Sequence, residues 1–258
     1  MLRFKNLGSG SSGNATVVQG SAGGRSVHVL VDCGLGPREL ARRLGLAGLL
    51  IEDLDAIFIT HEHSDHIGSA QRLALKHRIP VWMSHGTHTA IGACDFDGLL
   101  NIARDGTPID LGALQLMPFT VPHDAREPLQ LCCTDGDVRL GILTDLGHAT
   151  QHVLSHLHGC ASLLLECNHD PEMLANSPYP AFLKRRVGGL HGHLANPVAA
   201  QIATAVAATG LQRIVAAHLS RQNNRPELAL QSLAGAQGCS DLELSVADPV
   251  FGSAWFEV

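Results

Sequence analysis

Four potential metal ligands, His61, His63, Asp65 and His66, crowd into six residues directly after the apolar run Ala56-Ile57-Phe58-Ile59-Thr60. Successive side chains of an extended chain point to opposite faces, so His61 and His63 share a face and are placed to grip one cation. Asp65 and His66 fall where the chain turns into its next element, aimed a few ångströms farther on. That layout suits two adjacent cations rather than one. Neutral imidazole and carboxylate are donors for zinc, manganese or iron. A helical zinc-protease motif needs His-Glu-x-x-His, and it is excluded because Asp65 stands where the second histidine would be. A chance cluster of histidines on a solvated loop is the bland alternative, disfavoured by the H-x-H-x-D-H spacing behind a strand.

The remaining composition agrees with metal chemistry in an ordinary globule. Sixteen histidines among 258 residues is a high count, while 16% charged and 45% hydrophobic residues are unexceptional. A domain of this length buries roughly 70–75% of its unfolded surface and needs no staples, so residues 1–258 are read as one domain. The net charge of −6 argues against a broad electrostatic footprint on nucleic acid, without excluding a local basic patch. The one notable basic run, Lys184-Arg185-Arg186, is read as a solvated helix face. Tyr179 and Trp82 are too isolated to point to base stacking. Seven cysteines with no C-x-x-C pair suit free, mostly buried thiols in a reducing compartment. The first residues lack the apolar stretch of a secretory signal, and no apolar run reaches the length of a membrane span. A cytoplasmic protein with no membrane contact is expected.

Short β-rich runs follow one another: 26–32, 56–60, 80–84, 114–121, 129–134, 138–144, 161–166 and 213–217. Helical patterns fall at 37–46, 67–78, 149–158, 181–187, 197–209 and 226–234, with Pro37, Pro197 and Pro226 in first turns, where a missing N–H is tolerated. Residues 242–258 read as two more short strands. Strands come first, then strands mixed with helices, twice over, which implies layered sheets with helices outside.

Further ligands are sought at the ends of apolar strands. His123 follows Val121-Pro122, Asp145 follows Ile142-Leu143-Thr144, and His218 follows Val215-Ala216-Ala217. Each alone is more often a structural residue. Beside the His61–His66 cluster, and at the same station along their strands, they complete a ligand set.

With Leu30-Val31-Asp32-Cys33-Gly34, the segment Thr60–His66, His123, Thr144-Asp145 and Ala217-His218-Leu219-Ser220, the chain resembles the metallo-β-lactamase superfamily over nearly its whole length. The resemblance implies an α/β fold, an αββα four-layer sandwich of two mixed β-sheets with a binuclear site at one edge. It places His61, His63 and His123 on one metal, Asp65, His66 and His218 on the other, and Asp145 between them. Asp32 would not ligate but would hold the ligand loop by hydrogen bonds. Antibiotic-hydrolysing members usually carry Cys at the position of Asp145, and the redox di-iron branch carries Glu at that of His63, so neither activity is expected.

Finer matches point to one branch. Gly8-Ser-Gly-Ser-Ser-Gly-Asn14, Glu166-Cys-Asn-His-Asp170, Gly192-His193-Leu-Ala-Asn196 and His218-Leu-Ser-Arg-Gln-Asn-Asn224 resemble the YycJ/WalJ-like subfamily, with Ala195 a small departure from its usual Ser. That branch implies a phosphodiesterase or nuclease of the 5′-exonuclease kind, acting on DNA or RNA through a metal-bridging hydroxide. Asp65, His193 and Glu166 would stand at the reaction itself, His193 as general acid and Glu166 as the group fixing its tautomer. Two divalent ions are implied, zinc first, with manganese or iron as alternatives. The Gly8–Asn14 loop lacks the Lys-Ser/Thr of a P-loop; it is read as a tight glycine hairpin, with Ser9, Ser11 or Asn14 lining a phosphate pocket as the alternative. His148, His152 and His156 are assigned to a solvated helix with no functional role. A small-molecule hydrolase acting on a thioester, lactone or cyclic phosphodiester is the second reading, and an inactive metal-bound scaffold the third.

Overall fold

The computed structural model describes residues 1–239 and 241–258. Among the described residues, fourteen strands form two seven-stranded sheets. In chain order the first sheet holds β1 (Leu2–Gly8), β2 (Ala15–Ala22), β3 (Arg25–Val31), β4 (Ala56–Phe58), β5 (Val81–Met83) and β6 (Leu100–Ile102). The second holds β7 (Ile109–Asp110), β8 (Gln115–Thr120), β9 (Leu129–Thr134), β10 (Arg139–Leu143), β11 (Ser162–Glu166), β12 (Arg213–Ala217) and β13 (Glu243–Val246). The last strand, β14 (Phe256–Glu257), returns to the outer edge of the first sheet beside β1.

Each sheet begins as an antiparallel meander and continues in parallel. β1, β2 and β3 are antiparallel and β3 to β6 parallel; β7 to β10 are antiparallel and β10 to β13 parallel. Both sheets are therefore mixed, as expected, and the parallel halves need helical crossovers. Pro37–Leu46 and Ala70–His77 cover the first sheet, while Gln151–Leu157, Asn196–Ala207 and Pro226–Ala234 cover the second.

The strands read as unbroken apolar runs because both faces are buried. Leu164, Val215 and Ala217 face the inter-sheet core with Phe4, Val29 and Phe58, whereas Leu163, Leu165, Ile214 and Ala216 face outward against Val153, Ile202 and Leu233. Outside the first sheet, Leu30, Ile57 and Val81 pack on Leu40, Leu44 and Leu73. The result is the four-layer αββα sandwich.

Some boundaries differ from the sequence reading. The single helix expected over 67–78 is two, Ser64–Ile67 and Ala70–His77, because Gly68 takes φ +32°, outside the helical region. The helix expected over 149–158 spans only Gln151–Leu157, capped by the Thr150 side chain, so His148 lies outside it and bonds through Nδ1 to the Leu190 carbonyl. His156 is not fully solvated either; its ring stacks on Phe119 at 4.8 Å. The cysteines are free, and all but Cys94 are buried. Among the described residues no helix is long and apolar enough to cross a membrane.

Candidate metal centre

β3, β4, β8, β10, β11 and β12 all end at one edge of the sandwich, and residues just past or at those ends build the centre: Asp32, His61, His123, Asp145, Glu166 and His218. Open α/β sheets present ligand sites at this end of their parallel strands. His63 sits one residue before the short helix Ser64–Ile67, which carries Asp65 and His66 back toward the edge.

The seven residues expected as ligands come together. His63 Nδ1 lies 3.0 Å from His61 Nε2 and 3.3 Å from His123 Nε2. One ligand atom from each of Asp65, His66 and His218 falls within 4.8 Å of the others, and the same holds for His61, His66 and Asp145. Asp145 stands between the two groups, with Oδ2 2.9 Å from His66 Nε2 and Oδ1 3.9 Å from His123 Nε2.

The support around these side chains is dense. Asp32 accepts from the Thr60 backbone N–H at 2.9 Å and from the Thr60 hydroxyl at 3.0 Å, while its Oδ2 lies 2.7 Å from His66 Nδ1. His123 Nδ1 is 3.0 Å from the Gly192 carbonyl, which leaves Nε2 facing the cluster. Asp32 and His218 hold positive φ, +62° and +54°. For residues with a Cβ this costs about 1–3 kcal/mol and persists where the surroundings over-determine it.

Glu166 does more than the sequence reading assigned. Its Oε1 is 2.7 Å from His193 Nδ1, as expected for a tautomer-fixing group, and 3.1 Å from His218 Nδ1. Its Oε2 accepts from the backbone N–H groups of Leu146 and Leu194. One buried carboxylate thus orients two imidazoles and ties β11 to the loops carrying Asp145 and His193.

The electrostatics follow from burying anions among imidazoles. Burial opposes charge on His66, yet Asp145 and Asp32 outweigh it and push the pKa up to about 10. His193 rises to about 9 because Glu166 and Asp145 likewise outweigh burial. Burial also opposes charge on His218, and Asp145 lifts it well above its ordinary value. Burial would raise Asp145, but His218 and His66 hold it well below the usual carboxylate range. His61, buried and facing His66, is driven well below the ordinary histidine value.

These donors fit divalent cations. Asp145 Oδ2 and His218 Nε2 are buried, directed into the cluster, and without a properly oriented hydrogen bond among the described residues. Buried polar atoms of this kind call for a partner, and a cation satisfies carboxylate and neutral imidazole together.

Three further residues contribute: Ser9 and Asn14, which the sequence offers only as the alternative lining of a phosphate pocket, and Asp124, which it does not single out. Asn14 reaches across from the β1–β2 hairpin, its Nδ2 3.0 Å from His66 Nε2, while its Oδ1 accepts from Gly10 N–H. Ser9 Oγ accepts from the backbone N–H of His218 at 2.6 Å. Asp124 lies 3.5 Å from His123 Nε2 and 2.6 Å from Arg186 Nε. The glycine loop is the expected hairpin and also touches the centre. The basic run is not merely a solvated face, since Arg186 lines the cleft. That cleft, of about 370 Å³, is bounded by His63, Asp65, Asp145, His193 and His218 on one side and by Leu183, Arg186 and Val187 on the other.

Residues 8–163 match the sequence profile of the Metallo-beta-lactamase superfamily. The chain belongs to this superfamily. Within it the chain stands with the YycJ/WalJ-like proteins. It is 35% identical over 236 residues to "Exodeoxyribonuclease YycJ" of Bacillus anthracis, covering 90% of this chain and 88% of that one. It is 30% identical over 258 residues to "Exodeoxyribonuclease WalJ" of Streptococcus pneumoniae, covering 98% and 94%. The fold is similar to that of the crystal structure of the metallo-beta-lactamase fold protein YhfI from Bacillus subtilis, with a TM-score of 0.75 at 16% identity over the whole of both chains. The superfamily match, together with relatives named as exodeoxyribonucleases, identifies the protein as a metal-dependent hydrolase, and its fold implies divalent metal ions at the ligand cluster.

Proposed function

We propose that the protein is a binuclear phosphodiesterase that degrades nucleic acid from a 5′ end. The observation that carries this reading is His193: its Nδ1 is fixed by Glu166 at 2.7 Å while its ring, 24% exposed, lines the cleft beside the ligand cluster. Hydrolysis of a thioester ends on a thiolate, which departs without a proton. A nucleotide alkoxide needs a proton, and a protonated imidazole beside the cluster supplies it. The relatives named as exodeoxyribonucleases support the same substrate class.

In this reading His61, His63 and His123 hold one cation, Asp65, His66 and His218 the other, and Asp145 lies between them. Zinc suits five histidines and two aspartates, with manganese and iron as alternatives. Two divalent cations, when bound, supply a water acidified toward neutrality and charge that offsets the phosphate in an in-line displacement. Asp32 fixes the tautomer of His66 by accepting at Nδ1, so that Nε2 is the donor atom. Asp145 offsets like charge at the two sites. His193 donates its proton to the departing oxygen, and Glu166 stabilises the imidazolium before that transfer.

The test is cleavage of a 5′-phosphorylated DNA duplex by metal-reconstituted protein, with bis(p-nitrophenyl) phosphate alongside. Stepwise release of nucleotides from the 5′ end, absent in Asp145→Ala, is the expected result. Cleavage of the small diester alone would reassign the protein to small phosphodiesters.

A further inference from the structure

The helix Ala181–Val187 is short, and the functional reading above gives it nothing to do. Its features converge on one ligand class. Leu183, Arg186 and Val187 face the cleft that holds the ligand cluster. Phe182, four residues before Arg186 and so on the same stripe of the helix, is 66% exposed. Leu190, just past the helix, is exposed as well, so exposed apolar side chains stand before and after the basic turn. Lys184, Arg185 and Arg186 put three positive charges in the last turn, on a chain whose net charge is −6. Arg186 is aimed: Asp124 holds its Nε at 2.6 Å, and its two terminal nitrogens make no hydrogen bond among the described residues.

The helix is also fastened to the reacting groups. The His193 backbone N–H donates to the Val187 carbonyl at 2.8 Å. Gly192 fits only because it lacks a side chain: a Cβ there would stand 2.1 Å from the Arg186 carbonyl oxygen. The same Gly192 carbonyl takes His123 Nδ1 at 3.0 Å. Helix, proposed acid and ligand thus form one rigid unit, and whatever the helix binds is held in register with the cluster.

A flat apolar surface one helical turn, about 5.4 Å, from a pair of guanidinium groups matches a polymer that alternates flat rings with negative charges. We propose that this helix is the substrate arm of the enzyme. It takes an unpaired nucleotide next to the scissile phosphate, with Phe182 stacking on the base and Arg185 and Arg186 meeting backbone phosphates. The proposal rests on the nuclease reading and adds that the terminal nucleotide is unpaired when it reaches the cluster, in a single strand or at an opened duplex end.

The test compares kcat/KM for a 5′-phosphorylated single-stranded oligonucleotide with that for bis(p-nitrophenyl) phosphate, which has no base to stack. The proteins are metal-loaded wild type, Phe182→Ala, Phe182→Trp and Arg185→Ala. Phe182→Ala should lower the oligonucleotide-to-diester ratio about tenfold, the scale of one base–aromatic stack, through KM, and Phe182→Trp should restore it. Arg185→Ala should make the salt dependence of oligonucleotide KM shallower by about 0.7 in the log–log slope, because one phosphate is no longer neutralised. Oligonucleotide cleavage by wild type with the ratio unmoved in Phe182→Ala would overturn the arm and leave the nuclease reading standing. Equal losses on both substrates would reduce the helix to a structural element. Wild type that turns over the diester and leaves the oligonucleotide intact would overturn both.

Discussion

Asp32 Oδ2 lies 2.7 Å from His66 Nδ1, and both side chains are almost wholly buried. The contact decides which nitrogen of His66 faces the cluster. An amide in place of the carboxylate would keep the volume and lose the charge that holds the imidazole.

Asp32→Asn should therefore fold and still bind metal, with affinity at one site reduced about 10–100-fold, the usual cost of removing a partner behind a ligand. Competition with a chelator of known affinity measures this. Affinity equal to wild type at both sites would remove Asp32 from the centre.

Asp145→Ala should lose turnover and bind less than two ions per chain by elemental analysis. Its carboxylate reaches toward both His66 and His123. A variant as active as wild type would sink its place between the cations.

His193→Ala should keep its metal and lose about 10²–10⁴-fold in kcat on an alkyl diester, the range attributed to a positioned acid. The loss should be far smaller on bis(p-nitrophenyl) phosphate, whose phenolate leaves without a proton. Metal lost in parallel with activity would make His193 a ligand instead. Glu166→Gln should show both defects, because its Oε1 serves His218 as well as His193.

After chelation, stability should be greatest near pH 6 and fall as the pH rises toward 9 or 10. His66 and His193 have folded pKa values of about 10 and about 9, above the ordinary histidine value of about 6.5. Their contribution is complete below the unfolded value and disappears as the pH climbs through the folded ones. On the acid side the sign reverses: His61 is lowered by burial and Asp145 is lowered against burial by His218 and His66, so both withdraw stability as the pH drops. Metal-loaded protein should lose the part of the alkaline decline that His66 contributes, since a ligating imidazole is neutral, while the His193 part persists, and metal binding at pH 7 should release protons. Thermal melts across pH with and without metal, and calorimetry in two buffers of different ionisation enthalpy, read these effects. A chelated protein equally stable at pH 6 and pH 9 would contradict the charge assignment.

Much of this architecture is legible in the sequence. Strands such as β11 and β12 were legible because burial on both faces writes them as continuous apolar runs. His61, His63, Asp65 and His66 were legible because they are neighbours in the chain, and His123, Asp145 and His218 because each follows such a strand. β6 and β7 were not, being two or three residues long and only partly buried at sheet edges. β1 and β2 went unassigned although their hairpin was recognised, since Lys5, Asn6 and Gln19 interrupt the apolar pattern; Asn6 and Gln19 are buried through hydrogen bonds. The Asp124–Arg186 pair was invisible for another reason. It depends on how a loop and a helix from distant parts of the chain meet, which no local spacing records. Glu166 was found as a partner of His193, but its second duty to His218 needed the parallel register of β11 and β12.

The hydroxyl of Ser9, next to the first strand, accepts from the backbone N–H of His218, just after the twelfth. A growing chain emerging from the ribosome has His61, His63 and Asp65 in place long before it has His218 or anything to hold Ser9. The early segment alone offers an unfinished ligand cluster, and only closure between distant parts of the polypeptide completes it. A complete hydrolytic centre is thereby deferred until the segment that carries His218 has been made and has folded back onto the first hairpin.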